Sequence, residues 1–195
     1  LALTYCKSYH WGLILGLPMA VGIFLVADQV IALVFGPGFE NAADVLRVLS
    51  FVIAVSFCNN VNGATLNAVG RERLFATLST VSVAVVVGLN WVLIPRFGYL
   101  GVAVTYGITT GLGFVIYSLI CHRSMQLTLP WGTAIRALLA SSAMALCVHR
   151  ALQWGLNLFP VVLFVGPVVY AAALYLLGAF SSEDIRLFKR ILRLA

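Results

Sequence analysis

Six long apolar segments run the length of the chain, at 11–35, 43–69, 74–94, 99–121, 132–154 and 160–180. Short polar or Gly/Pro-rich joints separate them. Each segment holds about 20 residues or more, which at 1.5 Å per residue reaches across a hydrocarbon core of roughly 30 Å. A helix satisfies every backbone N–H and C=O within its own segment, as a bilayer demands. A membrane β-barrel needs alternating segments of about ten residues, and this pattern is a different one. The chain therefore reads as all-α: a polytopic transmembrane helical bundle of six spans over residues 1–180.

The joints are "FGPGFEN" (35–41), "GRER" (70–73), "PRFG" (95–98), "HRSMQLTLP" (122–130) and "NLFP" (157–160). Joints this short make consecutive helices antiparallel neighbours in an up-and-down bundle. In "IPRFGYLGVAVTYG" (94–107) the third helix is expected to stop at Pro95, since proline lacks the donor and disfavours helix in the residue before it. Gly98 then lets the chain reverse, and Gly101 lets the fourth helix press close to a neighbour. Gly12 and Gly16, and again Gly107 and Gly111, have the GxxxG spacing of closely packed membrane helices. Pro18 is expected to kink the first helix.

Composition supports the membrane reading. Of 195 residues 62% are hydrophobic and 9% charged, against about 25% charged in soluble domains, and the mean hydropathy is +1.05. The net charge of +6, from 12 Lys+Arg and 6 Asp+Glu, points to a positive-inside bias and an anionic leaflet, with no nucleic acid as partner. With the C-terminus inside and six alternating spans, the inner face holds Lys7, Arg71, Arg73, Arg123, Arg136, Arg186, Lys189, Arg190 and Arg193. The outer face holds Arg47, Arg96 and Arg150. That asymmetry predicts both termini on the cytoplasmic side of the cell's inner membrane. The tail "SSEDIRLFKRILRLA" (181–195) reads as a basic amphipathic helix on the inner leaflet.

Lys7 and the apolar run to "LVADQ" imitate a signal peptide, but the run resumes after Asp28 and is long enough to span. A chain that starts at Leu1 without Met is expected to be the C-terminal part of a longer protein. Cys6, Cys58, Cys121 and Cys147 form no CxxC and read as small apolar residues. His10, His122 and His149 lie in separate segments, the acids near the spans are Asp28, Glu40 and Asp44, and no catalytic motif joins them. The expectation is a protein that is not an enzyme and that carries no cofactor and no metal.

Two stretches carry a family resemblance. "NAVGRERLFATLSTVSVAVVVGLNWVLIPRFGYLGVAVTYGIT" (67–109) resembles the polysaccharide flippases of the MATE-like (MOP) transporter superfamily, in its Leu-Ile-Pro, Phe-Gly and Gly-x-x-Gly run. "LVFGPGFENAADVLRVLSF" (33–51) resembles that family's pattern between two helices. Where the family often has Gly-Ala-Ala, this chain has Gly101-Val102-Ala103. The resemblance implies the C-terminal half of a MATE-like flippase fold, facing an N-terminal helical bundle absent from this chain. It implies translocation of a polyprenyl-pyrophosphate-linked oligosaccharide, a lipid-linked glycan, across the cytoplasmic membrane for cell-surface polysaccharide biosynthesis, in contact with membrane lipids. Two alternatives stand beside it: a cation-coupled small-molecule exporter of the same superfamily, and a non-transporting truncated scaffold.

Polar residues inside spans are the candidate site, because lipid makes them costly. In the second helix Ser56, Asn60, Gly63 and Asn67 are spaced four, three and four apart, with Asn59 and Asn62 flanking. In the fourth, Tyr106, Thr110, Gly113 and Tyr117 form a similar stripe. Each stripe is either a cavity wall for sugar hydroxyls or interhelical glue. Arg47 either holds a pyrophosphate or snorkels to the outer interface, and Arg136 reads the same way. One elongated cavity is expected to meet both Arg47 and Asn60. Asp28 is the candidate for a coupling ion.

Overall fold

The computed structural model describes residues 2–125, 131–153 and 161–178. The expected basic tail (181–195), the "NLFP" joint and residues 126–130 of the fourth joint lie outside them. The described chain is helical: α1 (Ala2–Phe35), α2 (Ala42–Ala68), α3 (Glu72–Phe97), α4 (Tyr99–Met125), α5 (Trp131–Gln153), a single π-helical turn (Val161–Val165) and α6 (Gly166–Leu176). The protein is an all-α polytopic membrane bundle. Among the described residues, five helices are long and apolar enough to cross a membrane, α1 to α5. The sixth expected span is represented by the π turn and α6.

Helix α1 starts nine residues before the apolar run that predicted it. Lys7, Ser8 and His10 break the run, yet nothing between Ala2 and His10 breaks a helix. The extra turns bury Tyr5 and Tyr9. Helix α3 likewise runs through Pro95 and ends at Phe97, which corrects the expected stop. So close to the helix end, proline costs the ladder little more than its own bond. The reversal waits for Gly98, the one residue between α3 and α4, at φ 56° and ψ −134°, where a side chain is strained. Its N–H closes α3 on the Ile94 carbonyl at 2.8 Å. A Cβ on Gly101 would sit 2.6 Å from the Leu93 carbonyl oxygen. The "PRFG" joint is abrupt because α4 begins pressed against the backbone of α3.

The chain divides into a unit ending at Trp131 and a unit beginning at Gly132. In the first, α1 lies along α2, α2 along α4 and α4 along α3, while α2 and α3 touch little. The spatial order is thus α1–α2–α4–α3, which corrects the expectation that all sequential helices are neighbours. Two reversals separate α2 from α4, so these central helices run in the same direction. Gly12 and Gly16 admit α2: a Cβ at Gly16 would meet the Ala54 Cα at 3.3 Å and the Phe57 ring at 3.1 Å. Helix α3 buries no residue and carries exposed Val81, Val83, Val87 and Trp91.

In the second unit, Gly166 at the start of α6 faces Val148 and Met144 of α5. Pro167 follows at the helix entrance, where a missing N–H interrupts the regular ladder, and the turn before it widens to π geometry. Arg136 of α5 donates to the Gly178 carbonyl at 3.0 Å.

Gly101 and Gly111 separate crowding from sequence pattern. Gly111 has nothing within 4 Å of an added Cβ. Gly101→Ala is expected to destabilise the protein by about 1–3 kcal/mol, and Gly111→Ala to leave it nearly unchanged, in a detergent unfolding titration followed by helical circular dichroism.

Candidate functional site

Asn62 is fully buried between α1, α2 and α4. Tyr5 Oη donates to its Oδ1 at 2.8 Å. Its Nδ2 donates to Ser118 Oγ at 3.1 Å and, at the limit of 3.5 Å, to Tyr9 Oη. One amide thus ties three helices together. Tyr5, Tyr9, Cys58, Leu66, Tyr117 and Cys121 pack around it as a single cluster. In a membrane each such interhelical bond contributes about 0.6 kcal/mol and at most about 1.7. The interhelical glue of α2 is therefore Asn62, together with Asn59, whose Nδ2 donates to the Thr110 carbonyl at 3.0 Å.

Asn60 and Asn67 lie on another face of α2, and both are exposed. Ser56 is half-buried, and Gly63 is buried, with the Phe75 ring of α3 close enough to meet an added Cβ at 2.8 Å. The predicted stripe is thus split. Its glycine packs helix on helix, while its asparagines face outward from this unit.

The fourth-helix stripe is brought together. Tyr106, Thr110, Gly113 and Tyr117 all line one cavity of about 400 Å³ between α3 and α4, with Asn59 of α2 at its base. Ser82, Thr109 and the valines 81, 85 and 86 complete much of the wall. A second hollow of about 530 Å³ shares Val86 and Tyr106 with the first and adds Asn90, Tyr99, Val45 and Leu49. Together they form a groove bounded by α2, α3 and α4. Half-exposed Tyr106 stands at the junction. The Oδ1 atoms of Asn59 and Asn90 are buried and have no hydrogen-bond partner.

Arg47 is ion-paired to two acids. Its Nη2 binds the Asp28 carboxylate of α1, and its Nη1 binds Asp44 of α2 at 2.8 Å. Two carboxylates thus surround one guanidinium. Asp28, the coupling-ion candidate, is the residue that Arg47 holds. Arg47 also borders a third hollow, of about 300 Å³, with Phe24, Phe51, Val55 and Gly107. The single cavity expected for Arg47 and Asn60 fails on helix geometry, because thirteen residues at 100° each leave them about 140° apart. Arg136 belongs to the second unit, where it holds the Gly178 carbonyl.

Sequence comparison adds a direction. The chain is 28% identical over 106 residues to a protein of Haloferax volcanii described as a probable low-salt glycan biosynthesis flippase, Agl15. That match spans 54% of this chain and 22% of the relative. It is also 28% identical over 110 residues to an uncharacterized membrane protein of Methanocaldococcus jannaschii, across 56% of this chain and 21% of that protein. The chain thus covers about a fifth of the length of each relative. No family model matches the chain, and no solved structure does.

The two asparagine environments predict opposite behaviour on truncation. Asn62→Ala removes the amide that three hydroxyls share and is expected to cost about 2–3 kcal/mol. Tyr5→Phe removes one bond and is expected to cost less than half as much. Asn60→Ala leaves stability within about 0.5 kcal/mol. The same unfolding titration measures all three.

Proposed function

We propose that the chain is part of a flippase of the MATE-like type, a transporter and not an enzyme, that moves a polyprenyl-pyrophosphate-linked oligosaccharide across the cytoplasmic membrane. The observation that carries the reading is the 28% identity with a glycan biosynthesis flippase over about half of the chain. The open polar face of α2 supports it. Asn60 and Asn67 are exposed on a membrane helix, and lipid there is costly, so such a face belongs against water or substrate. Tyr106, half-exposed on α4, offers a hydroxyl and an aromatic face for a sugar.

In this reading the α2 face forms one wall of a cavity whose other wall comes from a second helical bundle of a longer parent protein. Rocking one bundle against the other opens the cavity to each side in turn. The glycan crosses in the cavity while its lipid tail stays in the bilayer. Both ends of this segment lie in the cytoplasm, following the distribution of Lys and Arg. The ion pair at the outer ends of α1 and α2 gives Arg47 a structural task, so the pyrophosphate is held by cations outside this segment.

The test uses the parent protein in lipid vesicles with a fluorescent lipid-linked glycan on one leaflet. Movement to the other leaflet is expected, and Asn60→Leu with Asn67→Leu is expected to slow it by tenfold or more, from about two lost hydrogen bonds. Arg47→Ala is expected to keep most of the rate. A parent that moves no glycan, or a double variant with the full rate, contradicts the reading. Orientation is checked in the same parent: Glu40→Cys reacts with an impermeant thiol reagent from outside, and Glu72→Cys does not.

A further inference from the structure

The furrow between α3 and α4 is apolar along its length and ends in arginine. Val81, Val85 and Val86 of α3 and Leu112 and Ile116 of α4 line it, around a cavity of about 400 Å³. Three contacts fix the register of the two helices. A Cβ on Gly101 would meet the backbone of Leu93. Ser79 Oγ lies 3.5 Å from Tyr117 Oη, and the Phe75 and Tyr117 rings stand 5.5 Å apart. Continued outward, this register sets Arg71 and Arg73 level with His122 and Arg123. Helix period gives the faces. Arg71 precedes Phe75 by four residues and Arg123 follows Ile116 by seven, so each lies within about 40° of a residue that faces the neighbouring helix. Both arginines are exposed, as is Arg73 on the far side of α3. Against these three guanidiniums, the described residues of this end of the hairpin offer one carboxylate, Glu72. Along the axis, Arg71 and Arg123 stand roughly 10 Å beyond Leu78 and Tyr117, the cavity-lining residues nearest them. The polar layer of one leaflet is roughly 5–8 Å thick, and an arginine stem spans the rest.

We propose that the α3–α4 furrow binds an anionic phospholipid, with one acyl chain against the valine wall and the phosphate between the guanidiniums of Arg71 and Arg123. An apolar wall accepts hydrocarbon without leaving a polar group unpaired. Two guanidiniums at facing positions of adjacent helices match a phosphodiester. Each carries five N–H donors, and two in parallel suffice for a phosphate, so the interaction that Arg71 already makes can stay. A zwitterionic lipid has the same phosphate but brings its own cation, which the three arginines repel. The site therefore selects on net headgroup charge. Helix α3 buries no residue against the protein, and a lipid held at its base covers the wall left open. The proposal is independent of what the parent protein carries.

The test places the 195-residue chain in phosphatidylcholine nanodiscs with a trace of phosphatidylglycerol that carries a photoactivatable diazirine on one acyl chain. Cross-linked positions are read by peptide mass spectrometry. Labels are expected on the furrow walls, within residues 78–86 and 106–117. The same diazirine chain on phosphatidylcholine is expected to label them about tenfold less. That ratio reads the site in the unaltered chain, without any substitution. Arg71→Gln with Arg123→Gln is expected to lower the phosphatidylglycerol labelling about tenfold, and Arg71→Lys with Arg123→Lys to keep at least about half of it. Arg96→Gln with Arg150→Gln removes the same net charge elsewhere and is expected to leave the labelling unchanged. Helical circular dichroism checks that each variant is folded. Equal labelling by the two headgroups, or labels spread evenly over every exposed helix face, means unselective lipid and overturns the proposal. An equal loss from the two glutamine pairs means attraction to net charge alone and also overturns it. So does stronger competition from unlabelled polyprenyl phosphate than from unlabelled phosphatidylglycerol, because the furrow then belongs to an isoprenoid carrier.

Discussion

No water completes the hydrogen bonds of a side chain in the bilayer core, so Asn62 must find its partners on other helices. It finds them in Tyr5 and Tyr9 of α1 and Ser118 of α4. The contact order of the first unit follows. Helix α2 sits between α1 and α4 because its one buried amide is divided between them. Helix α3, which gives nothing to that network, is left at the edge with no buried residue. Steric permission comes from glycine. Gly16 lets α1 settle on Ala54 and Phe57, and Gly101 lets α4 start against the end of α3. Without the small residues the amide would be out of reach, and the Arg47–Asp28 pair and the Asn59–Thr110 bond reinforce the same two helix pairings.

That division leaves α2 with two kinds of asparagine. Asn62 and Asn59 spend their hydrogen bonds inside the unit. Asn60 and Asn67 point outward, and a membrane protein keeps such residues only where water, protein or substrate meets them. Arg47 adds a further tie between α2 and α1 by binding Asp28.

Much of the fold was legible in the sequence, because spans are set by length and hydropathy, and both are local properties. The roles of Gly98 and Gly101 in the reversal were legible for the same reason, whereas the expected stop at Pro95 gave way to a helix that runs on to Phe97. The start of α1 was hidden by Lys7, Ser8 and His10, which interrupt hydropathy without interrupting a helix. The α2–α4 pairing was hidden because joint length constrains only sequential neighbours. In the site, the Tyr106–Tyr117 stripe emerged as the wall of one cavity, since helix periodicity alone places it. The asparagine stripe did not survive intact. Its reading depended on which face α1 and α3 would cover, and periodicity carries no such information. The Arg47–Asp28 pair spans two helices and 19 residues, and only the folded hairpin brings it together.

The central claim is that the Asn60–Asn67 face of α2 lines an aqueous path through the membrane. It is tested most directly by thiol accessibility in membranes, with Cys6, Cys58, Cys121 and Cys147 replaced by alanine. Single cysteines at Asn60 and Asn67 are expected to react with a water-soluble reagent much faster than a cysteine at Val87, which is exposed on the apolar surface of α3. If Asn60→Cys and Asn67→Cys are as unreactive as Val87→Cys, that face meets lipid or protein and the account of the cavity is wrong.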